Sequence, residues 1–196
     1  MTVAGNTFVY MHSTSTKGVR ADIAIGSGVE WDNVHVMVGG TGFLDIVQIG
    51  VRMTATGPRI FAANGHGNPN EPGSDYREWD LGPTSHGWHT AVVVWDGAHW
   101  RLDFNNERKL TLDKQAWAVR SSRVVAESES PATRLGGTGA YPMRARNARE
   151  RRLGAWRLPA TGSNGRNSWN VGGYAVPAAT RYTFGVDFLN VVSGGS

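Results

Sequence analysis

The sequence predicts an all-β fold: two antiparallel sheets packed face to face as a jelly-roll sandwich, with long loop excursions. Three observations carry that expectation. Short apolar runs alternate with Gly-, Asn- and Pro-rich turns along most of the chain. The segment 87–112 reads as a three-stranded meander with its turns in place. Nothing sustains a helical period, and the best candidate, 147–153, is too short to trust. A meander with one apolar face needs a second layer to cover it.

Taken in order, residues 7–12 form a first strand that leads to a polar tip at 13–17. Residues 19–25 alternate before Gly26-Ser27-Gly28, 34–38 end at Gly39-Gly40, and 44–53 end near Gly57-Pro58. A short strand, 59–63, runs into a stretch at 64–85 that exceeds usual loop length and reads as a binding loop or packed cover. β-Branched and aromatic residues then fill 88–95. Asp96-Gly97 reads as a type I′ turn, which needs positive φ at both central residues. Trp100, Leu102 and Phe104 share one face, and Asn105-Asn106 repeats the turn signal before Leu110 and Leu112. Residues 123–129 give another strand, 135–177 a second excursion, and 181–192 a closing apolar strand.

The 196 residues fit one domain, 1–196, with irregular excursions at 64–85 and 135–177. With 26 Gly, 8 Trp and no Cys, the chain suits many short strands and excludes disulfides and thiolate metal sites. Its first residues lack the pattern of a secretory leader, and no apolar run reaches the 18 residues of a membrane span. A soluble protein made in a cytoplasm is therefore expected. The net charge of +4 is unevenly placed: Arg144, Arg146, Arg149, Arg151, Arg152, Arg157 and Arg166 face the single acid Glu150 within 141–166. That cluster reads either as a solvated edge that blocks strand pairing or as a surface for an acidic partner or polyanion. Aromatics to stack on bases are not interleaved there, so nucleic acid is not expected.

Three pieces in sequence order, VRADIAI (19–25), VHVMVGG with DIVQIGV (34–40, 45–51) and VVAESES (124–130), resemble a concanavalin A-like jelly roll, and more distantly the glutamic peptidase family. The peptidase resemblance implies a Gln that holds an oxyanion and a Glu that activates water, carried onto Gln48 and Glu127, with Glu129 as the alternative acid. Two departures weigh against chemistry. The peptidases carry a Trp in the strand before the Gln, where this chain has His35 to Val38. They also carry an acidic strand after it, where this chain has RIFAAN (59–64).

A lectin-like surface is the other reading of the fold. Indole faces stack on sugar rings and Asn side chains direct hydrogen bonds, which singles out Trp79, Trp169, Asn64 and Asn68 as ligand-binding residues. His86 and His89 fall on opposite faces of an extended segment, and the oxygen-rich 64–75 stretch lacks the spacing of a calcium loop. No metal and no cofactor are expected. The leading expectation is a non-enzymatic structural and binding protein. It would be a virion surface component of head-decoration or tail type, partnered by other protein subunits in a homo- or hetero-oligomer, and by glycans, but not by membrane. Its alternatives are a peptidase-like hydrolase using Gln48 and Glu127, and a free-standing carbohydrate-binding module.

Overall fold

The computed structural model describes residues 4–12, 16–25, 30, 32–39, 45–66, 75–113, 121–128, 144–157 and 162–169. Thirteen strands, and among the described residues no helix, form two antiparallel sheets. The seven-stranded sheet contains β1 (Ala4–His12), β3 (Asp32–Gly39), β4 (Asp45–Thr54), β5 (Gly57–His66), β6 (Arg77–Pro83), β10 (Ser121–Ser128) and β13 (Gly162–Trp169), in the order β13-β1-β10-β3-β4-β5-β6. The six-stranded sheet contains β2 (Gly18–Ala24), β7 (Trp88–Trp95), β8 (Trp100–Phe104), β9 (Glu107–Leu112), β11 (Arg144–Arg152) and β12 (Ala155–Arg157), in the order β12-β11-β2-β7-β8-β9. The expected two-sheet sandwich is what the chain forms.

Alternation builds the core. On β4, Val47, Ile49, Val51 and Met53 turn inward against Val19, Ala21 and Ile23 of β2 and Leu102 and Phe104 of β8, all in one buried cluster. Trp100 is buried on the same face as Leu102 and Phe104, as its parity predicts. Trp95 packs against it with ring centroids 5.4 Å apart.

Four differences from the sequence reading have physical causes. First, residues 147–153 lie in β11 and its turn, where Asn147 takes a left-handed φ of 55° and the register with β2 shifts. That bulge supplies the extra residue that mimics a helical spacing. Second, the first meander turn is not a two-residue type I′ turn. Trp95 pairs with Trp100, and Asp96 closes a longer loop by accepting the Ala98 and His99 amides on Oδ1, each at 2.9 Å. The second turn is as read, with Asn105 and Asn106 at φ 51° and 65°. Third, the 64–85 segment holds an edge strand, β6, whose turn signals Gly82 and Pro83 mark a register slip rather than a loop. Fourth, 135–177 contributes three strands, β11, β12 and β13. The expected strand at 181–192 lies outside the described residues.

Candidate functional site: the outer face of the seven-stranded sheet

Residues that alternate with the core on β10, β3, β4, β5 and β6 lie on the outer face of the seven-stranded sheet. Register arranges them in rows. One row runs Arg123, Met37, Gln48, Ala63, Glu78; the next runs Val125, His35, Gly50, Phe61, Asp80. A third carries Asn33 and Arg52 beside Arg59. This is an uncommon content for a sheet face that is closed over half its width. Asn33, His35, Met37, Gln48, Arg123 and Val125 are all buried. Their burial is one reason the polar members are held by specific partners.

Gly50 is what lets the rows interlock. A Cβ there would stand 2.2 Å from the Val34 carbonyl oxygen and 2.3 Å from the His35 Cβ. Glycine therefore leaves the room in which His35 sits, edge-on to Phe61 with ring centroids 5.6 Å apart. His35 Nδ1 is 2.8 Å from Asn33 Oδ1. Burial, then the charges of Arg52 and Arg123, pull the imidazole pKa down to about 3. His35 is thus a neutral packing group near neutral pH.

The open half of the face lies along β5 and β6. Arg52 projects its guanidinium over Phe61, 4.4 Å from the ring centroid, and donates both Nη groups to the Glu78 carboxylate, Nη2 to Oε2 at 3.0 Å. Tyr76 donates its hydroxyl to the same Oε2 at 3.1 Å. Gly65 makes that position possible, since a Cβ there would meet the Tyr76 backbone at 2.3 Å. Arg59 donates Nε to Asp80 Oδ2 at 2.7 Å, and the Gly82 amide donates to Oδ1 at 3.0 Å. The Arg59 hydrogen bond first, and the Gly82 amide next, hold the Asp80 carboxyl below its ordinary range. The arrangement is a preorganised lattice of donors and acceptors flanking two aromatic rings.

Gln48 is buried on this face, next to Met37 and Ala63. Glu127 belongs to the same sheet, but its register partner is Asn33, which pairs with Arg52, four residues along β4 from Gln48. Two strand spacings and four residues put the Gln48 and Glu127 Cα positions about 16 Å apart, too far for one water to bridge. Glu129 lies outside the described residues. Trp79 is half-buried and packed against the main core, because β6 turns Glu78 and Asp80 outward and Trp79 inward. The residue expected to bind ligand thus sits on the core side of the sheet edge. Asn64 pairs with Val47, on the core side. Trp169 ends β13, with its side chain outside the described residues, as is Asn68 altogether. Tyr76, Glu78, Asp80, Arg52 and Arg59, which build this lattice, have no motif in the sequence. Their one signal, alternating charge in YREWD (76–80), sat within a stretch read as loop.

The basic residues read as a patch do lie together, on β11. Arg146, Arg149 and Arg151 share the outer face of the six-stranded sheet, while Arg152 is spent on the buried Glu150, Nε to Oε1 at 2.5 Å. Arg144 stands opposite Ala24 in register. Aromatics do reach these arginines, contrary to the sequence reading. Trp156 comes from β12, the hairpin partner of β11, and Trp88 from β7, a strand that sequence order does not place alongside. Among the described residues no group of His, Asp or Glu is arranged to hold a metal ion.

No protein-family model matches the sequence, and no curated protein matches it. Solved structures are similar in fold. The Crh5 transglycosylase in complex with NAG has a TM-score of 0.55 at 12% identity, covering 82% of this chain and 72% of that one. A tetrameric galectin from the ball sponge Cinachyrella sp. has a TM-score of 0.48 at 9% identity, over 70% of this chain and 92% of that one. A glycoside hydrolase family 16 endo-glucanase from Bacteroides ovatus has a TM-score of 0.45 at 9% identity, over 62% of this chain; the match spans 65% of the glucanase. The fold is a two-sheet jelly-roll sandwich.

Proposed function

We propose that this domain binds glycans on the outer face of its seven-stranded sheet, along the β4–β5–β6 edge, and does not cleave them. The observation that carries the reading is the locked network of Arg52, Glu78 and Tyr76 beside Phe61, continued by Arg59 and Asp80. Sugar hydroxyls are recognised by fixed donors and acceptors flanking an apolar ring surface, which here is the half-buried Tyr76, since Phe61 lies buried beneath Arg52. Side chains already held by one another lose little freedom when a ligand docks.

Cleavage of a glycosidic bond uses two carboxyl groups, one of them protonated to act as general acid. On this face Glu78 is engaged by Arg52 and Asp80 by Arg59, and the Asp80 carboxyl is shifted in the direction that keeps it ionised. Such groups favour binding over acid catalysis. The wide separation of Gln48 and Glu127 does not favour the peptidase-like alternative. As part of the same reading, we place the domain on a particle surface as a head-decoration or tail component. The cysteine-free, arginine-rich composition supports that placement, and the mass of the native assembly tests it.

A glycan array probed with the purified chain tests the binding face. Asp80→Asn combined with Arg59→Gln should weaken the best ligand by tenfold or more, while the far-UV spectrum is unchanged. Release of reducing ends from the bound glycan, lost in Glu78→Gln, would overturn the non-catalytic half of the reading. An array without any binder would overturn the rest.

A further inference from the structure

The other outer skin of the sandwich has a different chemistry. On the six-stranded sheet, β2 and β11 bring Arg20 and Arg149 into direct register, and Arg151 follows two residues further along β11. Cross-strand side chains of this kind lie about 5 Å apart at Cβ, and like charges there are unfavourable. Among the described residues none of these three guanidinium groups has a carboxylate partner: Arg149 donates to the Ala148 carbonyl at 2.8 Å, and Arg20 and Arg151 lie 5.2 and 6.0 Å from the centroid of Trp156. Three cations without a carboxylate partner, two of them facing the Trp156 ring, cost stability in the absence of an anion.

The same face is partly acidic and hydroxylated a step away. Asp22 accepts from Thr90 Oγ1 at 2.9 Å and from Asn147 Nδ2 at 2.7 Å, with Arg146 Nε 3.5 Å away. The left-handed Asn147 of the bulge is what brings that amide to Asp22. Arg146 covers Trp88 at 4.1 Å. Both indoles are thus engaged by guanidinium groups rather than offered to bases. A ligand that carries anionic groups and hydroxyls together suits both halves.

We propose that the β2–β11–β12 end of the six-stranded sheet is a second binding surface, for acidic polysaccharide. Arg20, Arg149 and Arg151 grip its carboxylate or sulfate groups, and the Asp22–Asn147–Thr90 cluster meets its hydroxyls. The surface is on the opposite side of the sandwich from the face proposed above for glycans and independent of it.

Titration calorimetry with oligogalacturonate (carboxylate) and with dextran sulfate (sulfate) tests this at low and physiological salt. At least one should bind, with affinity falling as salt rises. Arg20→Gln with Arg149→Gln and Arg151→Gln should cost at least tenfold and flatten the salt dependence. If that variant does not fold, the single exposed change Arg20→Glu should still cost severalfold. Which of the two probes binds assigns the anion. Binding to neither, equal binding by the variants, or tighter binding of single-stranded DNA of matched charge each overturns the proposal. Array binding of neutral glycans by the triple variant should be unchanged, so failure of one face is distinguishable from failure of the other.

Discussion

His35 lies under the polar face of the seven-stranded sheet with its pKa lowered from 6.5 to about 3, by burial first and by Arg52 and Arg123 next. In the unfolded chain this imidazole takes up a proton near its ordinary value, whereas in the folded protein it stays neutral until far lower pH. Between those two values the unfolded state binds the extra proton, so stability is fully present above the unfolded pKa and falls as pH falls towards 3. At roughly 1.4 kcal/mol per pH unit, moving from pH 7 to pH 5 should remove about 2 kcal/mol through this one group. Carboxylates and the other histidines titrate as well, so the measurement is a difference. Urea unfolding followed by tryptophan fluorescence is run at both pH values for the native sequence and for His35→Gln. The variant should start lower at neutral pH, having lost the Asn33 and Phe61 contacts. Its pH 7-to-5 loss should nevertheless be about 2 kcal/mol smaller than that of the native chain. Equal losses in the two proteins would refute the claim that a neutral, enclosed imidazole supports this face.

Gly50→Ala should destabilise by at least about 3 kcal/mol, read by thermal unfolding, because its Cβ meets backbone at 2.2 Å and not a flexible tip. Asn106→Ala should cost about 1 kcal/mol by denaturant unfolding, as alanine tolerates the 65° φ less well, whereas Asn106→Gly should be close to neutral. Leu102→Ala, at a fully buried position between the sheets, should cost about 3 kcal/mol by the same assay.

The meander strands were legible to the residue: the expected 88–95 is β7, and Trp100, Leu102 and Phe104 face the core as their alternation implied. Strong periodicity over two adjacent hairpins leaves few alternatives. The first turn was misread because Asp-Gly carries two messages. Gly97 does take a positive φ, but the Asp96 side chain accepts the Ala98 and His99 amides, which lengthens the loop. β6 was missed for a related reason. An edge strand with an exposed face, interrupted by Gly82 and Pro83, has the composition of a loop. The proposed binding face was out of reach for a deeper reason. Arg52 and Glu78 are 26 residues apart and meet only after β4, β5 and β6 have paired in register, so no local pattern announces the pair.

That dependence on register ties binding to folding within a single strand. β4 carries Val47, Ile49, Val51 and Met53 towards the core and Gln48, Gly50 and Arg52 towards the outer face, so a slip of one residue would exchange the two sets. The small residues police the register. A side chain at Gly50 cannot coexist with His35, and one at Gly65 cannot coexist with Tyr76, so only the native pairing leaves space for both rings. The consequence is that the outer face proposed for glycans and the core stand or fall together, while the arginines of β11 sit beyond a bulge that already tolerates a shifted pairing. Changes at Arg20 or Arg151 should therefore move binding without lowering stability, and changes at Gly50 or His35 should move both. A variant at Gly50 with native stability and lost glycan binding would break that linkage.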